Sequence, residues 1–164
     1  MRALSLWLML ASGVISGCGV IDCSSPETKL RGEFEAKLAV LERLRRMSDE
    51  DSRVIRIAPT FTRLEDDWSW PRPPEKLGFS EQRWNEYRRL FREAGVSAGI
   101  DRDSGYTFLT TKTCGLAVSG KSYGYAFARE KPKQVLPSLD AFSLPNGVGF
   151  VPVKGDWYLF VWVT

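Results

Sequence analysis

Histidine is absent from all 164 residues of the sequence, and cysteine occurs only three times. Serine and cysteine hydrolases use a histidine base, and most catalytic zinc sites use histidine ligands. The composition therefore excludes Ser-His-Asp and Cys-His catalysis, every histidine-bearing metal site and a zinc cage of four thiolates. We predict that the chain is not an enzyme and that it holds no metal or other cofactor.

An excess of positive charge is also lacking, because 23 basic side chains are balanced by 20 acidic ones, for a formal net charge of +3. Proteins that bind nucleic acid usually carry a basic excess or a basic stripe. We therefore expect neither DNA nor RNA as a partner.

Long hydrophobic runs are missing as well. The N-terminal stretch Ala3–Ile15 is mostly apolar, uncharged and preceded by Arg2. A helix that spans a bilayer needs roughly 20 apolar residues, so this stretch is too short to span one. Its length and position are typical of the core of a signal peptide. No later stretch of the sequence is long and apolar enough to span a membrane.

The residues that follow, Ile15-Ser16-Gly17-Cys18, combine an aliphatic residue, two small residues and a cysteine. This pattern resembles the lipobox of bacterial lipoproteins. The resemblance implies cleavage before Cys18, attachment of diacylglycerol to its thiol and addition of a further acyl chain such as palmitate. Gly19 follows where an aspartate would imply retention in the inner membrane, so we expect a lipid anchor in the outer membrane and a domain that faces the periplasm. The alternative is an ordinary secretory signal in which Cys18 is incidental.

These expectations divide the chain into a signal peptide (residues 1–17), a lipidated tether (18–24) and one folded domain (25–164). The domain is large enough for one core and too small for two. Cys23 and Cys114 remain after lipidation of Cys18, and export leads to an oxidising compartment. We expect a disulfide between them; the alternative is a buried thiol at Cys114 and an exposed one at Cys23.

Periodicity predicts two amphipathic helices. From Ser25 to Met47, apolar residues recur at spacings of three and four, with Ser25 as the cap and Pro26 in the first helical position. A second helix is expected between Ser80, as its N-cap, and Gly95.

The rest of the chain reads mostly as strands. Short alternating or β-branched segments at 53–58, 106–113, 123–127, 148–153 and 157–163 are separated by turn residues. We predict an α+β fold in which two amphipathic helices pack on an antiparallel sheet of about five strands.

Two motifs are better explained as turns than as ligand sites. Gly115–Ser122 fits the spacing of a phosphate-binding loop, but strand-like alternation follows it where that loop requires a helix. We therefore expect no nucleotide. Asp101–Gly105 resembles part of a calcium loop but lacks the third ligand and the distal glutamate.

The segment 60–78 is a long connection rich in proline and charge, and it contains the most distinctive candidate site. Trp68 and Trp70 lie beside Asp66 and Asp67 and are followed by three prolines. Prolines lower the entropy lost on binding, and tryptophans are frequent anchors of interfaces. We expect these four residues to bind a protein partner; the alternative is that both tryptophans pack on the core.

The sequence therefore favours a non-enzymatic outer-membrane lipoprotein that binds another envelope protein or a toxin, as an inhibitor or immunity protein. One alternative is an assembly or structural lipoprotein of a secretion or cell-wall complex. Another is a cell-wall hydrolase that uses the carboxylates of Glu65 and Asp66, since glycosidases act with two carboxyl groups.

Overall fold

A computed structural model of the chain describes residues 22–67, 77–103, 105–116 and 119–164. Within them the helices are α1 (Glu27–Glu50) and α2 (Glu81–Ala94). The strands are β1 (Val54–Ile57), β2 (Thr62–Leu64), β3 (Gly99–Arg102), β4 (Tyr106–Leu116), β5 (Ser119–Ala128), β6 (Gly147–Lys154) and β7 (Trp157–Val163). They form one antiparallel sheet in the order β2-β1-β3-β4-β5-β7-β6. Both helices pack on this sheet, so the predicted α+β class is confirmed.

The prediction of about five strands is wrong, because the sheet has seven. The missed strand β2 contains only three residues, too few for an alternating pattern, and half of β3 lies in the segment that we interpret as a turn. β2 lies inside the predicted connection 60–78 and pairs with β1. β3 pairs with β1 on one side and β4 on the other. Tertiary pairing, and not a local pattern, makes both segments strands.

The first helix follows the predicted pattern closely at its start and extends further at its end. The Ser25 hydroxyl accepts a hydrogen bond from the amide nitrogen of Glu27 at 3.3 Å. Pro26 is predicted as the first helical residue, but the helix begins one residue later, at Glu27. It continues to Glu50, beyond the expected end at Met47. The buried positions on its inner side include Leu30, Phe34, Val40, Leu41, Leu44 and Met47.

The second helix begins and ends at the predicted residues. The Ser80 hydroxyl accepts a hydrogen bond from the amide nitrogen of Arg83 at 3.1 Å, which satisfies one of the free donors of the first turn. Gly95 ends the helix with a φ of 71°, a left-handed conformation that glycine adopts without a steric penalty. The Phe79 ring packs on the Tyr87 ring at 5.5 Å between centroids.

Both motifs that we interpret as turns lie in antiparallel hairpins. Gly115–Ser122 belongs to the hairpin of β4 and β5, and the chain continues after Ser122 as β5 and not as a helix. Asp103 and Tyr106 exchange backbone hydrogen bonds of 3.0 and 3.2 Å where β3 turns into β4. Both segments therefore belong to hairpins, but Asp101 and Arg102 are part of β3, so that turn begins only at Asp103.

One face of the sheet is covered by the helices. The Tyr125 hydroxyl donates to the carbonyl oxygen of Leu30 at 2.9 Å, and the Trp157 indole nitrogen donates to Glu42 at 2.7 Å. These two bonds fix α1 across β5 and β7. The main core lies between the helices and this face, and includes Phe34, Leu41, Leu44, Tyr87, Leu90, Ile100, Leu109, Tyr125 and Leu159.

The other face of the sheet carries a second, aromatic cluster. Its buried members are Phe108, Ala126, Phe150 and Phe160, with Tyr106, Val148 and Tyr158 packed against them; we call it the outer aromatic cluster. The Tyr106 and Phe150 rings lie 4.9 Å apart although their strands, β4 and β6, are separated by two others. Three strand spacings correspond to about 14 Å in a flat sheet, so the sheet must curl toward this face.

Small residues on β5 make room for these rings. A Cβ atom at Gly124 would lie 2.0 Å from the carbonyl oxygen of Leu109 and 3.0 Å from the Phe160 ring. At Gly32, in the middle of α1, an added Cβ would meet nothing within 4 Å.

We expect Gly124→Ala to lower the free energy of unfolding by about 1–3 kcal/mol, because strand β4 or the Phe160 ring must shift to accommodate the methyl group. The matched control Gly32→Ala should raise it by about 0.5–1 kcal/mol, because alanine loses less backbone entropy in a helix. Denaturant unfolding followed by circular dichroism measures both. A Gly124→Ala protein as stable as the unmodified one would contradict the packing described above.

Candidate partner-binding site

The N-terminal segment is fixed to one end of the sheet. Cys23 and Cys114, which are 91 positions apart, form a disulfide with a Cα–Cα distance of 5.4 Å. The Tyr123 hydroxyl donates to the carbonyl oxygen of Cys23 at 3.2 Å. Burial, followed by the nearby carboxylates, raises the pKa of Tyr123, so this hydroxyl keeps its proton. We call this end of the sheet, where β4 and β5 approach their hairpin, the tether end.

Asp22 adds a charged contact at the tether end. Its carboxylate accepts a hydrogen bond from the Ser24 amide nitrogen at 2.9 Å, and Lys112 Nζ lies 3.1 Å from it. Hydrogen bonds from Ser24, followed by Lys112, hold the pKa of Asp22 well below its usual range. Lys112 also donates to the carbonyl oxygen of Ser24 at 2.9 Å. The contact therefore keeps its charge into acidic pH.

Two arginines of α2 bind neighbouring elements of the domain. Arg83 Nε donates to Asp51 at 2.8 Å, and the Tyr87 hydroxyl donates to the same carboxylate oxygen at 2.7 Å. This contact joins the end of α1 to α2. Arg88 Nε donates to the carbonyl oxygen of Pro59 at 2.8 Å. Both guanidinium groups thus serve the packing of α2 and are poor candidates for a partner site.

A cleft lies far from the tether end, where α1 ends and β4 begins. Its volume is about 520 Å³, and it is lined by Ser52, Ile55, Glu65, Arg102, Asp103 and Arg129; we call it the arginine cleft. Asp103 is hydrogen-bonded through its backbone to Tyr106, the first residue of β4, whereas Cys114 lies near the end of that strand. Eight residues of extended strand span about 27 Å, which is the separation between the cleft and the disulfide along β4.

Arginine donors converge on one carboxylate beside this cleft. Asp49, near the end of α1, forms ion pairs with Arg45 at 2.7 Å, with Arg102 at 3.8 Å and with Arg129. Arg102 also donates to the carbonyl oxygen of Ser52 at 2.9 Å, and its buried Nε has no hydrogen-bond partner among the described residues. Arg45 also pairs with Glu42 at 3.0 Å, so the three guanidinium groups contact two carboxylates and retain donor capacity for an acceptor from outside.

The acidic segment 65–67, which contains the predicted partner residues Asp66 and Asp67, starts at the arginine cleft. Glu65 lines it. The Asp66 side chain is 70% exposed and lies 3.7 Å from the Arg53 side chain, which is 78% exposed. Such an exposed pair contributes little to stability. Asp67 is half-buried. The segment that leads into the predicted partner loop therefore begins at the wall of the cleft.

The predicted partner residues Trp68 and Trp70, and the predicted lipid site Cys18, lie outside the described residues. The arginines of the cleft were not among the residues predicted to bind a partner. Arg102 occurs inside the Asp101–Gly105 motif, which we interpret as a turn and not as a site. Arg129 directly follows β5 and belongs to no motif. No spacing signal connects the two, because only the sheet brings them together.

Within the part of the chain that the structure describes, no three histidine, cysteine or acidic side chains are grouped as a metal site would require. A search of the same residues for a helix long and apolar enough to cross a membrane found none.

We expect replacement of both cysteines, Cys23→Ser with Cys114→Ser, to lower the free energy of unfolding by about 2–5 kcal/mol. The bond closes a long loop and so restricts the unfolded chain. Denaturant unfolding should show the same loss when the unmodified protein is reduced, while reductant leaves the double variant unchanged. Equal stability of the two proteins under oxidising conditions would show that the bond does not clamp the domain.

Comparison with known proteins found no matching family model, no matching curated protein and no matching solved structure.

Proposed function

We propose that this chain is a lipid-anchored protein of the bacterial outer membrane whose domain binds another protein in the periplasm. The anchor is Cys18, and its support is the lipobox-like sequence Ile15–Cys18. The domain would be held close to the bilayer, because five residue steps from Cys18 to Cys23 extend at most about 17 Å.

The observation that carries the proposal is the position of the tether relative to the arginine cleft. The disulfide attaches the N-terminal segment at the tether end, and the cleft lies about 27 Å away along β4. A membrane at the tether end would leave the cleft and the adjoining residues 65–67 open to the periplasm. A partner would therefore reach them without obstruction by lipid.

The chemistry of the cleft suits a protein surface that carries an acidic side chain. Arg129 is exposed, and its guanidinium borders the cleft beside Arg102. A planar guanidinium binds carboxylates through two parallel hydrogen bonds, and arginine is enriched among residues that dominate binding energy. Glu65 and Asp103 on the same walls would disfavour a partner of purely negative charge. The tryptophan and proline segment that follows Asp67 in the sequence would add the apolar anchor.

More specifically, we propose that the chain is an inhibitor or immunity protein. Such a protein would neutralise a toxin or an envelope hydrolase by covering its active site. A small domain that presents the arginine cleft at the end away from its anchor suits this role.

We expect Cys18→Ser to abolish incorporation of a palmitate analogue and to prevent cleavage before residue 18, because lipid transfer requires the thiol. The measurement is metabolic labelling with mass analysis of the mature N-terminus. The control Cys23→Ser should still be labelled. Labelling that survives Cys18→Ser would refute the anchor.

We expect the mature protein, tagged at its C-terminus through a flexible linker, to capture one stoichiometric partner from its native host. Arg129→Ala, and separately Trp68→Ala with Trp70→Ala, should each reduce recovery at least tenfold, the loss of about 1.4 kcal/mol expected for a binding anchor. The readout is quantitative mass spectrometry of the captured proteins.

The matched control is Arg89→Ala, which removes an exposed arginine paired with Glu93 on α2 and should leave recovery unchanged. Recovery that is equal for all variants would refute the cleft and the loop as the binding site. Release of soluble muropeptides by the purified protein would instead support the hydrolase alternative.

A further inference from the structure

The described residues expose three large hydrophobic side chains, and two of them lie at the tether end. They are Val135, Leu144 and Trp162, with exposed fractions of 43%, 48% and 37%. Trp162 pairs across the sheet with Ser122, which precedes Tyr123 of the tether contact. Leu144 lies three residues before Gly147, which pairs with Val163. Trp162 therefore lies on the sheet near the end that carries Cys23, and Leu144 lies in the segment that enters β6 at that end.

The tether is short enough to bring these side chains to a bilayer. Cys114 lies on β4 and Trp162 on β7, two strand spacings away, or about 10 Å. The five residue steps from Cys18 to Cys23 reach at most about 17 Å. With Cys18 in the membrane, the lipid surface is therefore within reach of the whole tether end.

The two side chains have the chemistry of membrane-interface anchors. The Trp162 ring packs against the Phe108 ring of the outer aromatic cluster at 5.3 Å between centroids, and 37% of Trp162 remains exposed. Tryptophan is enriched at membrane interfaces because its ring is apolar and its N–H is polar. Leu144 would enter the same layer as a purely apolar group.

Charge plays a secondary part at this end. Lys29 and Lys121 are exposed there, and lysine is attracted to anionic headgroups. The exposed Asp140 lies near Tyr123 and opposes that attraction. Burial of apolar side chains, and not net charge, is therefore the main source of affinity.

We infer that the tether end is a second membrane contact, in which Leu144 and Trp162 enter the interface of the phospholipid bilayer beside the lipid anchor. The inference rests on the proposed function, because it requires Cys18 in the membrane. The contact would orient the domain and so direct the arginine cleft away from the bilayer.

The test uses the mature lipidated protein in vesicles of phosphatidylethanolamine and phosphatidylglycerol at three to one, with a fraction of lipids brominated near the top of the acyl chain. Bromine quenches indole fluorescence only at short range. We expect partial quenching of the unmodified protein, and loss of most of that quenching in Trp162→Phe. Leu144→Glu, which keeps all tryptophans, should also reduce the quenching, because a charge would lift this end from the interface.

The matched control is Trp157→Phe. Trp157 lies on the same strand but is buried against α1, so its replacement should leave the quenched component intact. Near-ultraviolet circular dichroism confirms that each variant is folded.

Two outcomes distinguish a failure of the membrane contact from a failure of the lipid anchor. Protein that carries lipid and floats with the vesicles, but whose quenching is unchanged in Trp162→Phe, would overturn the membrane contact and leave the anchor standing. Protein that carries no lipid on Cys18 and does not float would overturn both.

Discussion

The disulfide between Cys23 and Cys114 determines where the N-terminal segment is attached to the folded domain. It attaches the N-terminal segment to the end of β4, where the Tyr123 hydroxyl and the Asp22–Lys112 pair add further contacts. If the chain is anchored at Cys18, as we propose, the tether end of the sheet lies beside the anchor and the arginine cleft lies at the other end.

Strand β5 shows how one sheet supports two different faces. Its large residues, among them Tyr125, point toward the helices, while Gly124 and Ala126 point toward the outer aromatic cluster. The small residues allow aromatic rings from the neighbouring strands to meet above them and the sheet to curl. The same cluster packs against Trp162, so the packing of the outer face and the exposed surface at the tether end are linked.

Much of the helical structure was predictable because its signals are local. Ser80 and Gly95 bound α2 through hydrogen bonds and backbone conformation within a few residues, and they do so in the folded domain. Strands β2 and β3 were missed, since β2 has only three residues and half of β3 lies in a segment whose residue types indicate a turn. Of the candidate site, the acidic segment at 65–67 was recognised from composition. Arg102 and Arg129 were missed, because they are 27 positions apart and share no motif.

The sequence by itself determined the fold class, the two helices, the turns and the absence of histidine chemistry, because these depend on residue type and on neighbours a few positions away. The pairing of Cys23 with Cys114 was an expectation that sequence had no means to test geometrically. Only the tertiary structure decided the order of the seven strands, the curl of the sheet and the convergence of three arginines on Asp49. Each of these depends on contacts between segments distant in the chain, and such contacts leave no periodic trace in the sequence.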